Sequence, residues 1–342
     1  MYHPIGKASL PAPITAAVFG TTSLCYATTV LGEVFALDAS SGEGRAHIAT
    51  QMERVAVTWL HDSETLAVAG IARLDDYDQE QLVVQILSSA LEPLHRFVLG
   101  VGEGAATGIT DLGGARALVG CEGLALLNLG SGAVEWQRPV SGFLSSRGLL
   151  YAPQTDTAYA VWCSQGQSWV CRYTGITAAP PADGSQTSLS ASEHVTGAAL
   201  AADGATIAVV AIHDPGFIRD ASNGVEAQEY GRLIIIRADA ERRLIPLHDP
   251  GVRHTLGGEA GRDRVLAALN ARPSNPVFLT EDVVAVGEPS GRIIVWPLDN
   301  GPPITAFEGL RAPVATLALA PSGLLAVGDH IGGVHFLRPL GA

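Results

Sequence analysis

At 342 residues the chain exceeds the roughly 100 to 200 of one ordinary domain, and a second domain would be the first thought unless repetition explains the length. With Gly 39, Pro 20 and 16% charged residues, it suits short strands and tight turns better than helices of Glu, Lys and Leu. A net charge of -13, with Lys7 the single lysine, opposes sequence-independent attraction to nucleic acid or anionic lipid, so neither is an expected partner.

From the N-terminus, MYHPIGKASLPAP carries no apolar core behind a basic start and so does not read as a secretory signal. No later run approaches the roughly 18 apolar residues of a membrane span. The expectation is a cytoplasmic protein. Cys25, Cys121, Cys163 and Cys171 fall in or beside predicted strands, where free Cys behaves as a small buried hydrophobe. Cys163 and Cys171 are placed to face each other across a hairpin centred on Gln167, but a reducing compartment favours free thiols.

Predicted inner strands begin near Ile14, Val55, Thr107, Gly148, Val195, Val265 and Val314. Each is followed by a second strand and then a third: GEVFALD (32–38), QLVVQIL (81–87), GLALLNL (123–129), SWVCRY (168–173), GRLIIIR (231–237), GRIIVWP (291–297) and GGVHFLR (332–338). A spacing of about 45 residues fits four strands per unit. Apolar runs such as LIIIR and ATIAVV read as strands buried on both faces. Trp59, Trp136, Trp162, Trp169 and Trp296 lie in predicted strands and read as packing.

The last unit, PVATLALAPSGLLAVGDHIGGVHFLR (313–338), shows the pattern best: an alternating strand, a Pro-Ser-Gly turn, a second strand, a Gly-rich turn and a third strand. It resembles a WD40 repeat. The preceding unit adds GRIIVWPLD (291–299), with Trp296 at the family's Trp position and Pro297 in place of its Asp; the Gly-His pair and buried Asp of strong repeats are mostly missing. The resemblance implies an all-β, seven-bladed propeller occupying residues 1–342 as one domain. Since the last unit stops after three strands, residues 3–10 are expected to complete it as its outer strand. Such closure removes an exposed sheet edge.

In that architecture the second-to-third and blade-to-blade connections share one face. The longest of these are residues 71–80 in blade 2, 213–230 in blade 5 and 249–263 between blades 5 and 6, and connections of that length tend to be functional or disordered. A further stretch, 174–190, looks like a polar linker on the opposite face or rim. Arg73, Asp75, Asp76, Tyr77, Asp78 and Glu80 lie on one side; Phe217, Arg219, Glu226, Glu229, Tyr230, Arg253, His254 and Arg262 on the other. Arg beside exposed aromatics is the composition of interface anchors, so Arg73, Asp76, Tyr77, Phe217, Arg219, Tyr230, Arg253 and His254 are the candidate partner-binding residues.

The tetrapeptide HDPG occurs twice, at 213–216 and 248–251. His213, Asp214, His248, Asp249 and His254 near a channel mouth would suit a metal ion or a general acid/base pair. Asp-Pro-Gly is equally good turn chemistry, and that is the simpler reading. No HExxH, CxxC pair, GxSxG or P-loop accompanies it. The leading expectation is a non-catalytic scaffold that needs no cofactor or metal and binds a protein or peptide through its upper-face loops. The rival is a hydrolase, a lyase or a metal or small-molecule binder using the His and Asp groups.

Overall fold

The computed structural model describes residues 1–21, 23–73, 80–101, 108–120, 123–139, 143–164, 167–181, 184–191, 193–213, 231–237, 242–247, 274–299 and 301–340. These form seven four-stranded antiparallel sheets arranged as the blades of a propeller. Helix among the described residues is limited to one 3-10 turn at Pro153–Thr155, and none of it is long and apolar enough to cross a membrane.

Each predicted third strand is present, from Glu33–Asp38 in blade 1 to Gly333–Pro339 in blade 7. Strand Tyr2–Ser9 pairs with Gly333–Pro339, Tyr2 opposite Pro339 and Ser9 opposite Gly333, and so completes blade 7. Pro4 is tolerated there because an outer strand needs donors on one side only. On its other flank this strand abuts the Ser40 to Gly42 turn of blade 1, where a Cβ on Gly42 would run into the Lys7 backbone. The ring is therefore closed by backbone pairing on one side and by glycine-permitted contact on the other.

The strands are apolar on both faces because neighbouring blades cover both. Seven hydrophobic clusters of described residues each straddle one pair of adjacent blades, including the closing pair, where Ile14, Phe19 and Leu37 of blade 1 meet Ala326, Val334 and Phe336 of blade 7. Trp59, Trp136 and Trp162 are buried in these seams, Trp59 stacked on Tyr26 at 5.4 Å between blades 1 and 2. Cys25 and Cys171 are buried and free, and burial pushes the Cys25 thiol up to about 12.

Three local expectations change. The blade 4 hairpin puts Cys163 opposite Ser168 and Cys171 opposite Ala160, three positions out of register for a bridge. The end of the linker-like stretch, residues 185–190, belongs to strand Ser185–Ala191, the outer strand of blade 4. In blade 6, Val265 lies outside the described residues, and the inner strand is Val277–Thr280. Ahead of it, Asn275 binds the neighbouring blade: the side-chain amide donates to Leu317 O at 2.9 Å and accepts from Leu317 N–H at 3.1 Å. The amide thus imitates a strand residue against blade 7.

Candidate functional site

The connectivity gives the ring two faces. The upper carries the second-to-third and blade-to-blade connections, the lower the remaining turns. Arg73 ends strand Thr65–Arg73 on the upper face, exposed and opposite Glu80. His213 ends strand Ile207–His213 at the same level of blade 5, opposite Glu193. Asp75, Asp76, Tyr77, Asp78, Asp214, Phe217, Arg219, Glu226, Glu229, Tyr230, His248, Asp249, Arg253, His254 and Arg262 lie outside the described residues. Among the described residues no group of three or more His, Cys, Asp and Glu is set to hold a metal ion.

The described upper face shows something sequence reasoning missed. Three upper turns share one backbone design: in blades 1, 6 and 7, Gly32, Gly291 and Gly332 follow a two-residue tip at φ +73, +81 and +93. Only glycine combines that φ with the close approach of the next crossover, since a Cβ on Gly332 would meet the Leu10 and Ala12 carbonyls. Blade 6 fills its tip with Pro289 and Ser290, ordinary turn residues. Blades 1 and 7 instead carry Val30 and Leu31, 50% and 65% exposed, and His330 and Ile331, the latter 70% exposed. β-Branched and aliphatic side chains gain nothing from a solvated turn. The signal was visible in TVLGE and DHIGG beside EPSGR.

A buried acid holds the blade 7 tip in place. Asp329, 2% exposed, accepts from Ile331 N–H at 3.0 Å, Gly333 N–H at 2.7 Å and His335 Nε2 at 3.1 Å. Burial disfavours its charge, but His335 and the two backbone donors outweigh that and hold its carboxyl below the usual range. Blade 6 repeats the arrangement with buried Glu288, paired to Arg292 at 2.6 Å.

The lower face is built from carboxylates serving turns. Asp38 accepts from Ser40, Arg45 and Ser41, which hold its carboxyl well below the ordinary range. Asp111 accepts from the His61 N–H of blade 2 at 3.0 Å, and Asp62 accepts from the Gly114 N–H of blade 3. Beside Asp38, a cleft of about 400 Å³ opens between blades 1 and 2, lined by Thr21, Ser23, Leu24, Arg45 and Ser89. Its charged groups already neutralise each other.

No protein-family model matches the chain, and no curated protein matches it. What the ring does is therefore read from its own surfaces.

Proposed function

We propose that the chain is a divergent WD40-type propeller, a single domain that works in the cytoplasm as a non-catalytic scaffold. It docks a protein or peptide on its upper face, without nucleic acid or membrane as partner. The observation that carries this reading is the trio of exposed aliphatic tips, Val30, Leu31 and Ile331, on turns whose backbone geometry does not require them. Rigid turns on a closed ring lower the ordering cost of association. The blade 2 and blade 5 connections, with Arg73, Asp76, Tyr77, Phe217, Arg219, Tyr230, Arg253 and His254, extend the proposed surface around the same face. Six described aspartates, Asp38, Asp62, Asp111, Asp156, Asp203 and Asp329, are engaged by donors of their own or neighbouring turns, which supports a turn-building role for them.

The test compares the intact protein with a variant whose residues 213–230 and 249–263 are replaced by Gly-Ser turns and whose Leu31 and Ile331 are serine. Capture from native lysate should yield a stoichiometric partner that the variant loses while keeping its unfolding transition. A stoichiometric metal ion, present in the intact protein and lost with the shortened loops, would overturn the scaffold reading in favour of His213, Asp214, His248, Asp249 and His254.

A further inference from the structure

Crossover residues 10–13, LPAP, and 310–313, LRAP, repeat one another, each leading into an inner strand. The first is stitched at both ends. Leu10 N–H donates to Gly332 O at 2.7 Å, and Pro13 O accepts from Val30 N–H at 3.0 Å. Three Cα steps separate these anchors, at most about 11 Å, so the tips of blades 7 and 1 stand at the two ends of one short segment. That segment exposes Pro11 and leaves Leu10 half-buried. Ile331, Leu10, Pro11, Val30 and Leu31 thus form a continuous apolar ridge over the closure of the ring.

Three features of the ridge specify what covers it. First, the N–H groups of Val30, Gly32, His330, Ile331, Gly332 and Gly333 are already donated within the ring, so an extended peptide finds no run of donors to pair with. An α-helix arrives with its own backbone satisfied and suits such a surface better than a strand does. Second, five side chains fall far short of the roughly 800 Å² per partner of a stable dimer. The described residues also contain no helix beyond Pro153–Thr155 that a second copy could offer. Third, exposed charges of both signs flank the ridge, Glu308 and Arg311 beside blade 7 and Glu53 and Arg54 beside blade 1, while Glu33 next to the blade 1 tip is paired to His47 at 3.2 Å. Both signs at each end match a helix whose apolar stripe is flanked by acidic and basic residues.

We propose that this ridge docks the apolar face of a short amphipathic helix from a protein partner, contacting about two helical turns, or about 11 Å. The proposal rests on the upper-face reading above and gives it a place and a partner chemistry.

The experiment places a photo-reactive amino acid singly at 31, 331, 73 (upper face, blade 2) and 244 (outer strand, blade 5) of the full chain expressed in native cells. Cross-linked segments are sequenced, and the one found is made as a synthetic peptide. The expected result is a shared target at 31 and 331 with apolar residues at i, i+3 or i+4, and i+7. Its peptide should gain helical circular dichroism on binding the purified ring and bind about tenfold or more weakly to the Leu31→Ser, Ile331→Ser variant. A target that binds without gaining helicity, a second copy of the chain or a lipid product would each overturn the helix assignment. Cross-linking at 73 but not at 31 or 331 would overturn the ridge and leave upper-face docking standing. Failure at all three upper positions would overturn both.

Discussion

The two faces of the ring use the same kind of turn for different ends. Below, polar side chains are consumed by the turns themselves: Asp156 takes the Tyr151 hydroxyl at 3.0 Å and the Thr177 hydroxyl at 2.9 Å, and Asp203 takes the N–H groups of Ala205 and Thr206, both at 2.8 Å. Above, in blades 1 and 7, glycine backbones and buried Asp329 fix the turn from beneath, and the aliphatic tips Val30, Leu31 and Ile331 stay exposed. A turn stabilised by backbone and buried groups frees its outermost residues for contact with something else.

That contrast can be broken first at Asp329. Asp329→Ala leaves three donors in a buried turn without their acceptor and should cost about 3 kcal/mol, read as a lower denaturant midpoint at unchanged slope. On the lower face, Asp156→Ala removes half-buried bonds to Tyr151 and Thr177 and should cost about 1 to 2 kcal/mol. An equal or larger loss than at Asp329 would invert the ranking of the faces.

Acid sharpens the comparison further. Asp38, Asp203 and Asp329 all have lowered folded-state pKa values. The unfolded chain therefore takes up protons first as pH falls. The stability these groups supply is fully present above the ordinary carboxylate range, near pH 4, and is lost as pH drops through their lower folded values. Unfolding midpoints measured from pH 7 to 2 should stay level and then fall below about pH 4, and Asp329→Asn should shallow that fall. The smallest effect belongs to the tips. Leu31→Ser and Ile331→Ser should change stability by less than about 0.5 kcal/mol in calorimetry while abolishing partner capture; a large stability loss would make the tips structural.

Much of the ring is legible in the sequence. The third strands could be placed because each is a short, mostly apolar stretch between turn signals, and the unpaired segment at 3–10 answered the missing outer strand of blade 7. The candidate site was far less legible. Reasoning from connection length pointed to blades 2 and 5, whose loop residues lie mostly outside the described residues, and the proposed ridge adds short connections at blades 7 and 1, where length carries no signal. The buried Asp of blade 7 escaped notice because Asp329 is followed by His335 rather than by a Trp in the third strand.

The apolar runs and Gly-bearing turns determined by themselves that this chain is built of short strands buried on both faces, and the resemblance of residues 313–338 to a WD40 repeat implied that those strands form blades. Tertiary structure decided what that pattern leaves open. Hairpin register separated Cys163 from Cys171, the Asn275 side chain tied blade 6 to Leu317 of blade 7, and ring closure set the tips of blades 7 and 1 at the two ends of residues 10–13. Each is a contact between groups distant in sequence or shifted by a few residues, and local periodicity constrains neither.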